Sequence, residues 1–136
     1  MKAIIFDMDG LMIDTERLYF ECQREMAEEM GTPVKDETFW KMMGRKPIEA
    51  IRIFVDELGL NATPEEVLRI RDERLEAKLR RELQAMPGLM QILSRFYGSI
   101  RLAVATGASK KFVDIILEKL DIETCFDIIQ TSDEVE

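Results

Sequence analysis

Apolar residues run unbroken from Ala3 to Phe6 and give way to Asp7-Met8-Asp9-Gly10. That pattern predicts a short strand buried on both faces, followed by a turn. From Thr15 to Met30 the apolar positions shift to helical spacing, at Leu18, Cys22, Met26 and Met30, and Gly31 with Pro33 ends the run. Further helices are predicted over Glu37–Met43 and from Pro47 onward, the latter with an apolar face of Ile48, Ile51, Val55 and Leu58 closed by Gly59. Thr63-Pro64-Glu65-Glu66 is a capping box opening a long charged helix that reaches Gln84. At Pro87-Gly88 the character changes. A short helix over Leu89–Phe96 precedes a second buried strand, Arg101–Ala105, a helix over Ser109–Leu120 and a third strand over Phe126–Gln130. Strand, helix, strand at this spacing is the βαβ unit of a parallel sheet. The fold class expected is α/β: a parallel-sheet Rossmann-like core, incomplete, in residues 1–14 and 86–136, with an all-helical cap domain inserted after the first strand in residues 15–85.

Composition narrows the chemistry. Of 136 residues, 46% are hydrophobic and 34% charged, enough for a core and too little bias for disorder. The net charge of −8 would repel a phosphate backbone, so no nucleic-acid partner is expected. No histidine is present, which removes Ser-His-Asp hydrolysis, imidazole acid/base catalysis and most zinc sites. Proton transfer is left to carboxylates or Lys. The two cysteines, Cys22 and Cys125, are far apart in apolar segments and read as reduced core residues. Four apolar residues before Asp7 are too few for a signal peptide or membrane span, which places the protein in the cytoplasm and away from membranes. The Asn61-Ala62-Thr63 sequon then carries no meaning. Scarce Asn and Gln beside abundant Glu, Lys and Arg hint at a thermostable protein, against which nine Met residues count.

In open parallel sheets, ligands gather beyond the carboxyl ends of the strands. Two segments place polar residues there: Asp7-Met8-Asp9-Gly10 and Thr106-Gly107-Ala108-Ser109. Asp7 and Asp9 are two apart and, in continued strand geometry, share a face. Two such carboxylates repel unless a cation sits beside them or one is protonated. A hard cation such as Mg²⁺ suits these oxygens and would leave one carboxylate free to act as a nucleophile while the other handles a proton. Thr106 and Gly107, before a helix start, offer a hydroxyl and amides to an anion. Together these parts suggest phosphoryl transfer; a plain turn and a plain helix cap are the structural alternatives.

The run Ile4-Ile5-Phe6-Asp7-Met8-Asp9-Gly10-Leu11-Met12-Ile13-Asp14-Thr15-Glu16 closely resembles the first motif of the haloacid dehalogenase superfamily of phosphohydrolases, in the branch with a helical cap after the first strand. Val104-Ala105-Thr106-Gly107-Ala108-Ser109 looks like its second motif. The resemblance implies that Asp7 attacks phosphorus and, with Asp9, holds Mg²⁺. Asp9 would protonate the leaving alkoxide and later deprotonate water, its main-chain carbonyl facing the metal. Thr106 and Gly107 would bind the phosphoryl group. Glu16 and Asp14 lie near the cap hinge, and Arg45 and Lys46, on the loop after Gly44, would meet a sugar hydroxyl or second phosphate. The substrate implied is a small phosphorylated metabolite, a sugar or polyol phosphate.

The sequence departs from the family pattern at its far end. Neither the Lys of the third motif nor the acidic pair of the fourth is present; Lys110 and Lys111 are substitutes by residue type alone. The expectation is a piece of a longer enzyme, inactive alone, that pairs with its missing half or with itself through an exposed sheet edge. A phosphomutase of the β-phosphoglucomutase kind is an alternative. It is weakened by Tyr19 and Pro47, which stand where such mutases typically carry His and Arg. A non-catalytic interaction or folding module is another.

Overall fold

The computed structural model describes residues 2–134. Each apolar run of the sequence becomes a strand and each helical period a helix: β1 (Ala3–Phe6), α1 (Thr15–Glu29), α2 (Asp36–Met42), α3 (Pro47–Leu58), α4 (Pro64–Glu82), α5 (Leu89–Phe96), β2 (Arg101–Ala105), α6 (Lys110–Leu120) and β3 (Ile128–Gln130). Short 3₁₀ turns cover Glu123–Cys125 and Ser132–Glu134. The chain forms two compact units, Met1–Glu16 with Lys78–Glu136, and Arg17–Ala77.

In the sheet-bearing unit the strands are parallel in the order β1-β2-β3. The register aligns Phe6, Val104 and Ile129 in one row and Ile5, Ala103 and Ile128 in the next. Paired residues of neighbouring strands point to the same face, so the rows belong to opposite faces. The first row is well covered, with Phe6 and Val104 buried and the Phe6 ring edge-on to Phe126 at 6.0 Å. The second is open: Ile5 is 70% exposed and Ile128 56%. Among the described residues β1 also keeps an unpaired edge.

Two element boundaries differ from the sequence reading for identifiable reasons. β3 begins at Ile128, not Phe126: at Asp127 the side chain shares the pairing with the main chain, its carboxylate accepting the Leu102 amide at 2.9 Å while Asp127 N–H donates to Leu102 O at 2.8 Å. Cys125 accordingly lies in a 3₁₀ turn, half-buried, and burial raises its thiol pKa, which keeps it protonated. α4 stops at Glu82, short of Gln84. The Gln84 carbonyl accepts the Asp14 amide at 3.5 Å, and Ala85 bridges Ile13 in an antiparallel pair.

The helical unit has its own core, in which Cys22, Met26, Phe39, Ile51, Phe54 and Val67 are buried together. The Phe20 and Phe39 rings meet at 4.9 Å between centroids. Burying a side chain the size of Phe stabilises by about 1.5–3 kcal/mol, so this cluster is what holds the short helices α2 and α3, neither of which would persist alone. The capping box forms as the sequence indicates: Thr63 N–H donates to Glu66 Oε2 at 3.0 Å and Glu66 N–H to Thr63 Oγ1 at 3.2 Å. These bonds hold the Glu66 carboxyl below the usual carboxylate range. Arg74 grips Glu29 with both guanidinium nitrogens and lowers that carboxyl as well. Exposed pairs such as Lys41–Glu57 contribute little by comparison. No disulfide joins Cys22, which is buried, and Cys125, which is half-buried. Among the described residues no helix is long and apolar enough to cross a membrane.

Candidate active site

After β1 the chain folds tightly back on itself. The Met8 carbonyl accepts the amides of Leu11, Met12 and Ile13 at 3.3, 3.0 and 3.3 Å, and Gly10 N–H donates to Ile13 O at 2.9 Å. Gly10 takes φ +76°, a left-handed conformation that a side chain would strain. Met8, Met12 and Ile13 are fully buried beneath this loop, and Met86 N–H pins it through Met12 O at 2.8 Å. The apolar anchors leave the two aspartates in different settings. Asp7 is exposed, with Oδ1 accepting the Met8 amide at 2.8 Å and no second hydrogen bond among the described residues. Asp9 is half-buried and has both oxygens engaged: Oδ1 accepts the Thr15 hydroxyl at 2.6 Å, and Oδ2 takes a longer 3.4 Å bond from the Thr106 hydroxyl.

Thr106 stands at the carboxyl end of β2, its amide bonded to Gln130 O of β3 at 3.0 Å. Its hydroxyl also accepts the Ala108 amide at 3.1 Å, which curls residues 106–108 around it. Parallel pairing of β1 with β2 therefore brings Asp9 and Thr106 together across 97 residues of sequence, with Asp7 and Gly107 each within two positions of this pair. A carboxylate with a free oxygen, a second carboxylate held by two hydroxyls, and a tightly turned loop before a helix can accept a phosphoryl group and move a proton.

The remaining candidates have separate placements. Glu16 is exposed in the first turn of α1, near Gly10. Arg45 and Lys46 belong to the helical unit: the Arg45 guanidinium donates to Lys41 O at 2.7 Å, and Lys46 is the N-cap of α3. Lys110 is tied to Asp114 one turn along α6 at 2.7 Å, which raises its pKa. Thr15 is the residue the sequence reading missed. Its signal there was only that of a helix start, whereas its buried hydroxyl is the nearer of the two donors to Asp9.

Among the described residues no cluster of three or more His, Cys, Asp or Glu side chains could hold a metal ion. The donor set still fits Mg²⁺, which takes hard oxygen ligands and needs only one or two carboxylates beside water and phosphate oxygens. With both Asp9 side-chain oxygens occupied by hydroxyls, the open oxygen of Asp7 and the Asp9 main-chain carbonyl are the fitting donors.

The profile of haloacid dehalogenase-like hydrolases matches residues 4–136. A phosphorylated carbohydrates phosphatase of Thermotoga maritima is 32% identical over 136 residues, 99% of this chain and 63% of the relative. The mitochondrial (DL)-glycerol-3-phosphatase 1 of Arabidopsis thaliana is 36% identical over 115 residues, 82% of this chain and 38% of the relative. Among solved structures, a Thermotoga maritima protein provisionally assigned as a β-phosphoglucomutase superposes with a TM-score of 0.84 at 32% identity, over all of this chain and 63% of its own. CbbY of Rhodobacter sphaeroides, in complex with phosphate, gives 0.80 at 25% identity, over 98% of this chain and 64% of its own. The chain thus spans between 38% and 64% of these relatives' length, and it belongs to the haloacid dehalogenase-like hydrolase family.

Proposed function

We infer that this chain carries the nucleophile and the phosphoryl-binding loop of a magnesium-dependent phosphatase of small phosphate esters, sugar or polyol phosphates, working through an aspartyl-phosphate. The observation that carries this reading is the meeting of Asp9 with Thr106 at the carboxyl edge of the sheet, beside an exposed Asp7. Relatives named for phosphorylated carbohydrates and for glycerol 3-phosphate support the substrate class.

The Asp7 carboxylate attacks phosphorus as the ester P–O bond breaks, and the Asp9 carboxyl gives its proton to the departing alkoxide. Asp9 then takes a proton from water, whose oxygen attacks the phosphorus. The bond to Asp7 breaks, inorganic phosphate leaves and the carboxylate is restored. Thr15 fixes Asp9 for both transfers, which require the carboxyl within hydrogen-bond reach of the reacting oxygen. Thr106 and the Gly107 amide hold the equatorial oxygens, where charge neutralisation does most of the work. Magnesium, held by Asp7 and Asp9, supplies further neutralisation of that charge when bound. Arg45, Lys46 and Glu16 are the proposed contacts to the alcohol portion, and residues 15–85 the proposed cap. Further chain would cover the open row Ile5-Ala103-Ile128 and supply the Lys and acidic pair that the family pattern requires; a second copy of this chain would cover the row without supplying them.

Replacing Asp7 by Asn in the full-length protein carrying this sequence tests the reading. Hydrolysis of sugar and polyol phosphates should fall by more than about 10³-fold with the fold intact; retained turnover would remove Asp7 as the nucleophile. The 136-residue chain alone should show negligible magnesium-dependent hydrolysis. A mutase is the second reading, favoured by the Thermotoga maritima structure. Conversion of a sugar 1-phosphate to its 6-phosphate in place of release of phosphate would establish it.

A further inference from the structure

The loop that cradles Thr106 is held from outside by a segment the proposed mechanism does not use. Ser109, the N-cap of α6, makes no side-chain capping bond, which leaves the first amide of the helix to be satisfied by another group. That group comes from 23 residues downstream: Asp133 Oδ2 accepts the Lys110 amide at 2.7 Å. Beside it, the Ala108 carbonyl accepts both the Ser132 amide at 3.0 Å and the Ser132 hydroxyl at 3.1 Å. Ala108 N–H is already spent on Thr106 Oγ1. The 3₁₀ turn that supplies these contacts is itself closed, with Thr131 N–H on Glu134 Oε2 at 3.1 Å and Glu134 N–H on Thr131 O at 3.3 Å. Ala108 and Lys110 are thus fixed on either side of Ser109, and the Gly107–Ala108 peptide between Thr106 and these anchors has little freedom left.

We propose that Asp133 is a positioning residue for the phosphoryl-binding loop, its carboxylate bond to the Lys110 amide holding residues 106–110 in the conformation that receives phosphate. The inference rests on the phosphatase reading above. A carboxylate at a helix N-terminus is favourable for the helix dipole, yet it brings negative charge toward an anion site. Positioning and repulsion therefore predict opposite signs. If the bond positions the loop, removing it weakens phosphate binding; if the charge merely repels, removing it tightens binding.

The test titrates inorganic phosphate into the full-length protein carrying this sequence. The amide signals of Gly107 and Lys110 are followed by NMR in wild type, D133A and D133N, and amide hydrogen exchange at Lys110 is recorded for each. Asp133 is exposed, so both variants should stay folded at the assay temperature, with D133A melting a few degrees lower because a helix cap is lost. D133A should weaken phosphate by about threefold to tenfold and speed exchange at Lys110, since one hydrogen bond is lost. D133N, whose amide oxygen can still accept, should stay within about twofold of wild type. Phosphate binding by D133A equal to or tighter than wild type overturns the proposal, as does D133N being as weak as D133A. Wild type that shows no phosphate response at Gly107 overturns the phosphatase reading itself, and this inference with it.

Discussion

The helical unit and the sheet-bearing unit reach burial by different routes. In residues 17–77, helices enclose Phe54, Ile51, Met26 and Val67, and their contacts reach as far along the chain as Glu29 to Arg74. In the other unit, one face of the sheet is covered while Ile5 and Ile128 stand open in register with Ala103. Helix-on-helix packing closes a core within about sixty residues; a parallel sheet needs elements on both faces and both edges before its strands are buried. The proposed site lies in the less closed unit, where Met8 and Met12 anchor the loop after β1 from beneath.

The largest expected effect that separates the two is truncation in the helical core. Phe54→Ala should cost about 3–5 kcal/mol in denaturant unfolding, as a fully buried aromatic leaves a cavity. Ile5→Ser in the 136-residue chain should cost less than about 0.5 kcal/mol and should reduce self-association seen by light scattering. An Ile5→Ser penalty comparable to that of Phe54→Ala would erase the contrast.

Capping comes next. Thr63→Ala should destabilise by about 1 kcal/mol, because both reciprocal bonds with Glu66 go. The pH dependence follows from the same unit. Glu66, through Thr63, and Glu29, through Arg74, have carboxyls lowered in the folded state. Their contribution is complete above the unfolded carboxylate pKa and fades as pH falls through the lowered folded values. Stability should therefore decline on acidification below about pH 4.5, and Glu29→Gln should flatten that decline in urea titrations across pH. A slope unchanged by the substitution would remove Glu29 from the explanation.

The smallest effect concerns Thr131, whose buried hydroxyl has no hydrogen-bond partner among the described residues. Thr131→Val should be neutral or stabilising by up to about 1 kcal/mol in thermal unfolding, since an unsatisfied buried group is removed. A clear loss of stability would mean that the hydroxyl is engaged in solution.

Legibility in the sequence followed the range of the interaction. The strand at Ala3–Phe6, the Gly59 helix stop and the Thr63–Glu66 box depend on residues a few positions apart, and their patterns state them directly. Asp7, Asp9 and Thr106 were legible as strand-end residues because a parallel sheet gathers its carboxyl ends. The Thr15 hydroxyl on Asp9 was not, since a threonine at a helix start reads as a cap. The Asp133 bond to Lys110 was hidden by its 23-residue separation. The burial of Met8 and Met12 was hidden by the polar look of the turn that carries them, and the late start of β3 by an aspartate side chain sharing the pairing with the main chain.

The most direct test of the central claim traps the covalent intermediate. The full-length protein carrying this sequence is incubated with magnesium and a sugar phosphate, reduced with borohydride and digested for mass spectrometry. Reduction converts an aspartyl-phosphate to homoserine, which should be found at position 7 and disappear in Asp7→Asn. Homoserine at another aspartate, or none in wild type during active turnover, would contradict it.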